Sequence, residues 1–230
     1  MIFNGNVISE ETFRLEDDKL NRLGLYEYAM NLGSHLGVKY KFAIYPDGEQ
    51  YETSSYNPKD NLVLIPAWAI DEGLTEKEYR ATKGLIDHEA GHIFWSDPSY
   101  LYTPSNSDQD NDELSLVCDI GNMIDDIRIE RRLSTEFKVD ESNFRHTVEV
   151  LYKQLQYADL INDDILLLSF LVNIYYRNIS YDEKTRVPLI AYELFVNRLI
   201  PIIDRFIVSD EKAGETAKEI IGVWRSDFEG

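Results

Sequence analysis

The chain predicts an α+β fold that is mostly α, and three observations carry that prediction. Strand-like sequence is confined to residues 38–66. Apolar residues recur at helical spacing over most of the remainder, above all from Glu113 onward. Hydrophobic residues make up 43% of 230, enough for a sizeable core. No Gly/Ser or Pro-rich linker and no internal repeat divides the chain. One domain over 1–230 is therefore expected, with a helix, a small antiparallel or mixed sheet and a second helix in 1–96. A loop follows in 97–112, then a helical part in 113–230.

Taken in order, residues 9–36 read as a helix, with Phe13, Leu20, Leu23, Tyr26, Ala29, Met30 and Leu36 at helical spacing. His35 lies near its end, where the helix dipole favours a surface or capping role. VKYKFAIY, residues 38–45, alternates and is rich in aromatic and branched residues, as strands are. Pro46-Asp47-Gly48 is a turn, after which GEQYETSS is expected to return as the second strand of a hairpin. Asn57-Pro58-Lys59-Asp60-Asn61 marks another turn, and Leu62 to Ile65 a short apolar strand stopped by Pro66. That strand is expected to present an edge to an extended peptide.

Thr75 to Trp95 reads as one helix with a legible start. Thr75 and Glu78 form a capping box, and Glu76 adds the first-turn negative charge that the dipole favours. Gly84 and Gly91 each cost roughly 1 kcal/mol against Ala, which points to close approach there. His88 and His92 are four residues apart, so their imidazoles lie one above the other on one face and can reach one metal ion. Glu89 stands one step round, placed to take a proton from water. This is the HExxH arrangement of zinc metallopeptidases.

Residues 97–112 are polar and rich in Pro, Asp and Asn, as a loop is. The cluster Asp108, Asp110, Asp112 and Glu113 lacks the Gly and Glu spacing of an EF-hand, so it is read as a solvated loop that caps the next helix. The helix over 113–133 carries Asn122, Asp125, Asp126 and Glu130 at spacings of three and four, hence on one stripe. A catalytic zinc takes three protein ligands, of which HExxH supplies two. Asp126, central in the stripe, is the expected third ligand, and Asp125 the alternative. Asn122 and Glu130 are expected behind it, orienting the ligands. Further helices follow from about Ser142, over 163–179, over 186–207 with Pro201 kinking or breaking the run, and at the end of the chain.

HEAGH followed by NMIDDIRIERR resembles the metallopeptidase-like segment that precedes von Willebrand A domains in cobalt-chelatase-type proteins. It is also similar to related phage and bacterial peptidase-like proteins. Those carry HExxH and then a helix with an N-x-x-E-D-x-R-I-E pattern. Asn122, Asp126, Arg128, Ile129 and Glu130 match it, while Asp125 stands where the pattern has Glu. The resemblance is strong over about 75–135. It implies a zincin-like fold with the sheet packed on the HExxH helix and a ligand helix behind. The D-x-S-x-S motif of the von Willebrand domain is not found, so that domain is expected to be absent.

The function these readings predict is zinc-dependent hydrolysis of peptide bonds in a protein substrate, with Glu89 as general base. His146, Tyr100, Tyr102 and Arg128 are the candidates for stabilising the oxyanion. The alternative is a catalytically silent, acidic zincin-scaffold protein that binds a host factor or another basic partner. A structural zinc is disfavoured, because such sites are usually rich in Cys and Cys118 is the only cysteine. Cys118 reads as a buried thiol, and no disulfide is possible within the chain. The formal net charge of -19 opposes nucleic-acid binding and anionic membrane surfaces. The N-terminus lacks a basic region followed by an apolar run, and the longest apolar run is too short to span a bilayer. A cytoplasmic protein is expected.

Overall fold

The computed structural model describes residues 2–3, 6–7, 24–45, 53–70, 73–95, 112–151, 164–179 and 189–228. The turn at Pro46-Asp47-Gly48, Gly48 to Glu52 of the expected return strand, and the loop with Tyr100, Tyr102, Asp108 and Asp110 lie outside them. So do residues 9–23 of the helix expected over 9–36. The fold is α+β and mostly α, with a small mixed sheet. Two compact units account for the chain. One is Met1–Trp95 with Arg132–Lys153, and the other is Ser96–Arg131 with Gln154–Gly230.

The first unit opens with a two-stranded antiparallel ribbon, β1 (Ile2–Phe3) and β2 (Asn6–Val7). Helix α1 (Leu25–Leu36) begins only after Gly24, whose φ of 69° is left-handed. A continuous helix over 9–36 is therefore corrected, since a left-handed residue cannot sit inside a right-handed helix. Gly37, at φ 73°, closes α1, and its N–H and that of Val38 turn back to Ser34 and Gly33 carbonyls as in a Schellman cap. His35 is exposed and edges against Phe137, ring centroids 6.3 Å apart.

Three strands follow: β3 (Lys41–Ile44), β4 (Ser55–Asn57) and β5 (Leu62–Ile65). Their order is β3-β5-β4, with β5 parallel to β3 and antiparallel to β4. The expected hairpin is thus corrected. The returning strand pairs with β5, through the Asn57–Asn61 turn, and not with β3. The turn works as its residues suggest. Asn57 Oδ1 accepts the Lys59 N–H at 3.0 Å, and Asn61 takes the left-handed position at φ 51° that Asn tolerates. The expected edge is corrected as well: β5 is the central strand, and all four of its residues are fully buried. Burial on both faces explains why LVLI is apolar without alternation.

Helix α2 (Glu76–Trp95) packs against β4 and β5 and most extensively against α4 (Glu141–Leu151). Its capping box is formed. Glu78 N–H donates to Thr75 Oγ1 at 3.2 Å, and Thr75 N–H to Glu78 Oε2 at 2.9 Å. At Gly84 the two helices meet so closely that a Cβ would stand 2.2 Å from Thr147 Oγ1 and 2.5 Å from the Asn143 carbonyl oxygen. Close approach is the reason for glycine there.

In the second unit, α3 (Asp112–Glu136, whose last turn belongs to the first unit) buries Val117, Ile120, Ile124 and Ile127. Their spacing of three and four makes one helical stripe. They join Leu167, Leu168, Leu171 and Val172 of α5 (Asp164–Arg177) in the core. Helices α6 (Leu189–Leu194) and α7 (Ile200–Ile207) are joined by a π-helical turn, Phe195–Leu199. Pro201 is expected to disturb this run and does so in that form. Ile200 N–H reaches back five residues to the Phe195 carbonyl, ahead of the proline that lacks a donor. Helix α8 (Ala213–Phe228) completes the unit. Cys118 is half-buried, not buried. None of the described helices is long and apolar enough to cross a membrane.

Candidate functional site

Helix α2 brings His88, Glu89 and His92 together. The Nε2 atoms of His88 and His92 are 3.0 Å apart, with ring centroids at 4.5 Å and planes at 77°. Two ring nitrogens at that distance either share a proton or converge on a cation, because two lone pairs repel. Nitrogens bound at about 2.0–2.1 Å in a tetrahedral zinc site stand roughly 3.3–3.4 Å apart. The pair is within a few tenths of an ångström of that spacing before any adjustment. Both histidines are half-buried.

Glu89, one residue on, is 6% exposed. A carboxylate so buried needs a donor, and Ser54 Oγ donates to its Oε1 at 2.7 Å. Ser54 immediately precedes β4 and is itself buried. The sheet thus holds the acid of the motif from the strand side. Sequence reasoning missed Ser54, because a contact between residues 35 apart leaves no local pattern.

Asp87, also missed, anchors α2 from its other side. It is fully buried. Tyr28 Oη donates to its Oδ1 at 2.6 Å, and Asn143 Nδ2 to its Oδ2 at 3.0 Å, tying α2 to α1 and α4. Burial pushes its carboxyl up to about 7, while the two hydrogen bonds and nearby Lys83 pull the other way. Burial and the adjacent Asp87 raise the Tyr28 hydroxyl far above its usual value, so it stays a donor. The signal available was an acid directly beside the apolar Leu85-Ile86 pair, three residues after a tightly packed glycine.

The acidic stripe belongs to α3. Asp125 is fully buried and pairs with Arg128. Arg128 Nη1 also donates to the Glu211 carbonyl at 2.9 Å, and its guanidinium lies over the Phe206 ring, 4.2 Å from the centroid. These contacts commit Arg128, an expected oxyanion donor, to the interior of the second unit. Glu130 accepts two bonds from Arg177, Nε at 2.7 Å and Nη2 at 2.6 Å. Asp126 and Asn122 are half-buried. Half of the stripe therefore consists of buried ion pairs, which demand good geometry to offset desolvation. His146, another oxyanion candidate, faces Glu149 at 3.4 Å, and Lys77 pairs with the same acid at 2.5 Å.

No family model, curated protein or solved structure matches the chain.

Proposed function

We propose that the chain is a zinc-dependent endopeptidase of the HExxH type on a zincin-like scaffold, acting on a protein substrate in the cytoplasm. The observation that carries this reading is the α2 arrangement: two imidazole nitrogens 3.0 Å apart, with a buried glutamate beside them held by Ser54. In this reading His88, His92 and Asp126 hold the metal. Asp126 is preferred to Asp125 because the latter is spent on its buried pair with Arg128. Two imidazoles, a carboxylate and no thiolate are a donor set that zinc accepts.

Zinc, when bound, supplies Lewis acidity that polarises a carbonyl and acidifies water. Glu89 takes a proton from the attacking water and returns it to the departing amine. Ser54 holds Oε1, which leaves Oε2 for that transfer. Among the described residues β4 pairs with β5 alone, so its outer edge, continuous with Ser54, is the edge for an extended substrate. A net charge of -19 favours basic substrates. The same charge supports the second reading, a silent scaffold that occupies a basic partner.

Metal analysis of the purified wild type, together with cleavage of a basic peptide library, separates the two readings. The peptidase reading expects about one zinc per chain and cleavage that Glu89→Gln abolishes with zinc retained. Absence of cleavage in the wild type, with partner capture unchanged by Glu89→Gln, would establish the scaffold reading instead.

A further inference from the structure

The first unit contains a cavity of about 460 Å³, bounded by α1, the N-terminal half of α2 and the segment from Phe137 to Asn143. It is separate from the histidine pair. A helix turns about 100° per residue, so Lys83, which lines the cavity, and His92 point to opposite sides of α2.

The cavity lining carries Arg80, Lys83 and Lys138 together with Glu76 and Asp140. Arg80 is engaged by Glu76 at 3.2 Å and by Asp140 at 3.1 Å, and it also donates to Ser142 at 2.7 Å. Two carboxylates thus share one guanidinium. Lys138 donates to the Thr135 carbonyl. Lys83 is different. Its ammonium lies 4.8 Å from the Tyr28 ring centroid and 4.9 Å from that of Tyr79. Among the described residues it makes no hydrogen bond or ion pair, and the acid whose charge it influences, buried Asp87, is bonded by Tyr28 and Asn143. Two aromatic faces hold the half-buried cation in place and leave its donors open to water or a ligand. Leu32, Phe137 and Val139 supply an apolar wall beside it. In a chain with a net charge of -19, such a cation at a walled cavity stands out from the surface around it.

We propose that this cavity binds a small organic anion, one carboxylate on an apolar body, with the carboxylate on Lys83 and the body against Phe137 and Leu32. The volume falls within the range that takes small-molecule ligands. Asn31 and Asn143, also at the wall, offer neutral polar contacts to the rest of the ligand.

Titration of the wild-type protein by calorimetry and by amide chemical-shift mapping tests the assignment, with indole-3-acetate, its neutral isostere indole-3-acetamide and inorganic phosphate as probes. The expected result is saturable binding of the acetate, with shifts confined to residues 28–35, 76–83 and 137–143. The acetamide should bind at least about ten-fold more weakly, since one charge-assisted contact is lost, and phosphate alone should leave these amides unmoved. Lys83→Met should bring acetate binding down to the level of the acetamide. Equal binding of acetate and acetamide, no binding of either, or shifts elsewhere would overturn the proposal. Binding of phosphate as tight as that of the acetate would overturn the apolar part of it. The wild-type arms decide the matter even if the substitution unfolds the protein.

Discussion

Glu89 is the residue on which the functional reading turns. Glu89→Gln keeps size and the Ser54 contact but removes the base. Cleavage should fall between about a hundred- and ten-thousand-fold in steady-state assays, with zinc content unchanged by elemental analysis. A variant that cleaves at the wild-type rate would remove Glu89 from the mechanism. Ser54 is a positioning residue, and Ser54→Ala should lower kcat about ten-fold with KM and zinc content held. The two aspartates on α3 part in a different way. Asp126→Ala should release zinc without a large loss of stability. Asp125→Ala should instead leave the Arg128 guanidinium buried without its carboxylate and lower stability by about 3–5 kcal/mol in chemical denaturation. At this scale the sequence placed His88 and His92 on one face of a helix, with Glu89 one step round, as α2 has them. It disclosed neither the burial of Asp125 nor the tie from Ser54, since burial and contacts between distant residues are set by the fold.

Helix pairing and capping belong to the scale of elements. Gly84→Ala pits two effects against each other. Alanine gains about 1 kcal/mol of helix propensity, but its Cβ would meet the Thr147 hydroxyl at 2.2 Å and the α4 backbone at 2.5 Å. Backbone cannot move aside cheaply, so the clash wins, and a net loss of about 1–3 kcal/mol is expected in denaturant unfolding. Asp140 caps α4, its Oδ1 accepting the Ser142 N–H at 2.9 Å. That hydrogen bond holds its carboxyl below the usual range. A folded-state value below the unfolded one means stability present above the unfolded value and lost as pH falls through the folded one. Asp140→Ala should thus cost about 1 kcal/mol near neutrality, and the difference from wild type should shrink in melts as pH falls below the ordinary Asp value of about 3.9. The capping box of α2 and the strand at Leu62–Ile65 were readable because each is encoded within a few residues. The central place of β5 was not, because strand order is a property of pairing between distant segments.

Net charge is a property of the whole molecule. With Asp and Glu numbering 42 against 23 Lys and Arg, a basic substrate or partner meets long-range attraction that salt screens over about 10 Å at 0.1 M.

What the sequence determined by itself is local and chemical. Residues four apart on a capped helix place two imidazoles on one face whatever surrounds them, and an apolar run stopped by proline makes a buried strand. Tertiary structure decided the rest. It put β5 between its neighbours, buried Asp125, buried Asp87 against partners far along the chain, hung Glu89 from Ser54, and left Lys83 between two tyrosines at a cavity wall. Helix periodicity acts over a few residues and is written in their order. Burial and pairing join positions tens of residues apart, and only the folded chain brings those positions into contact.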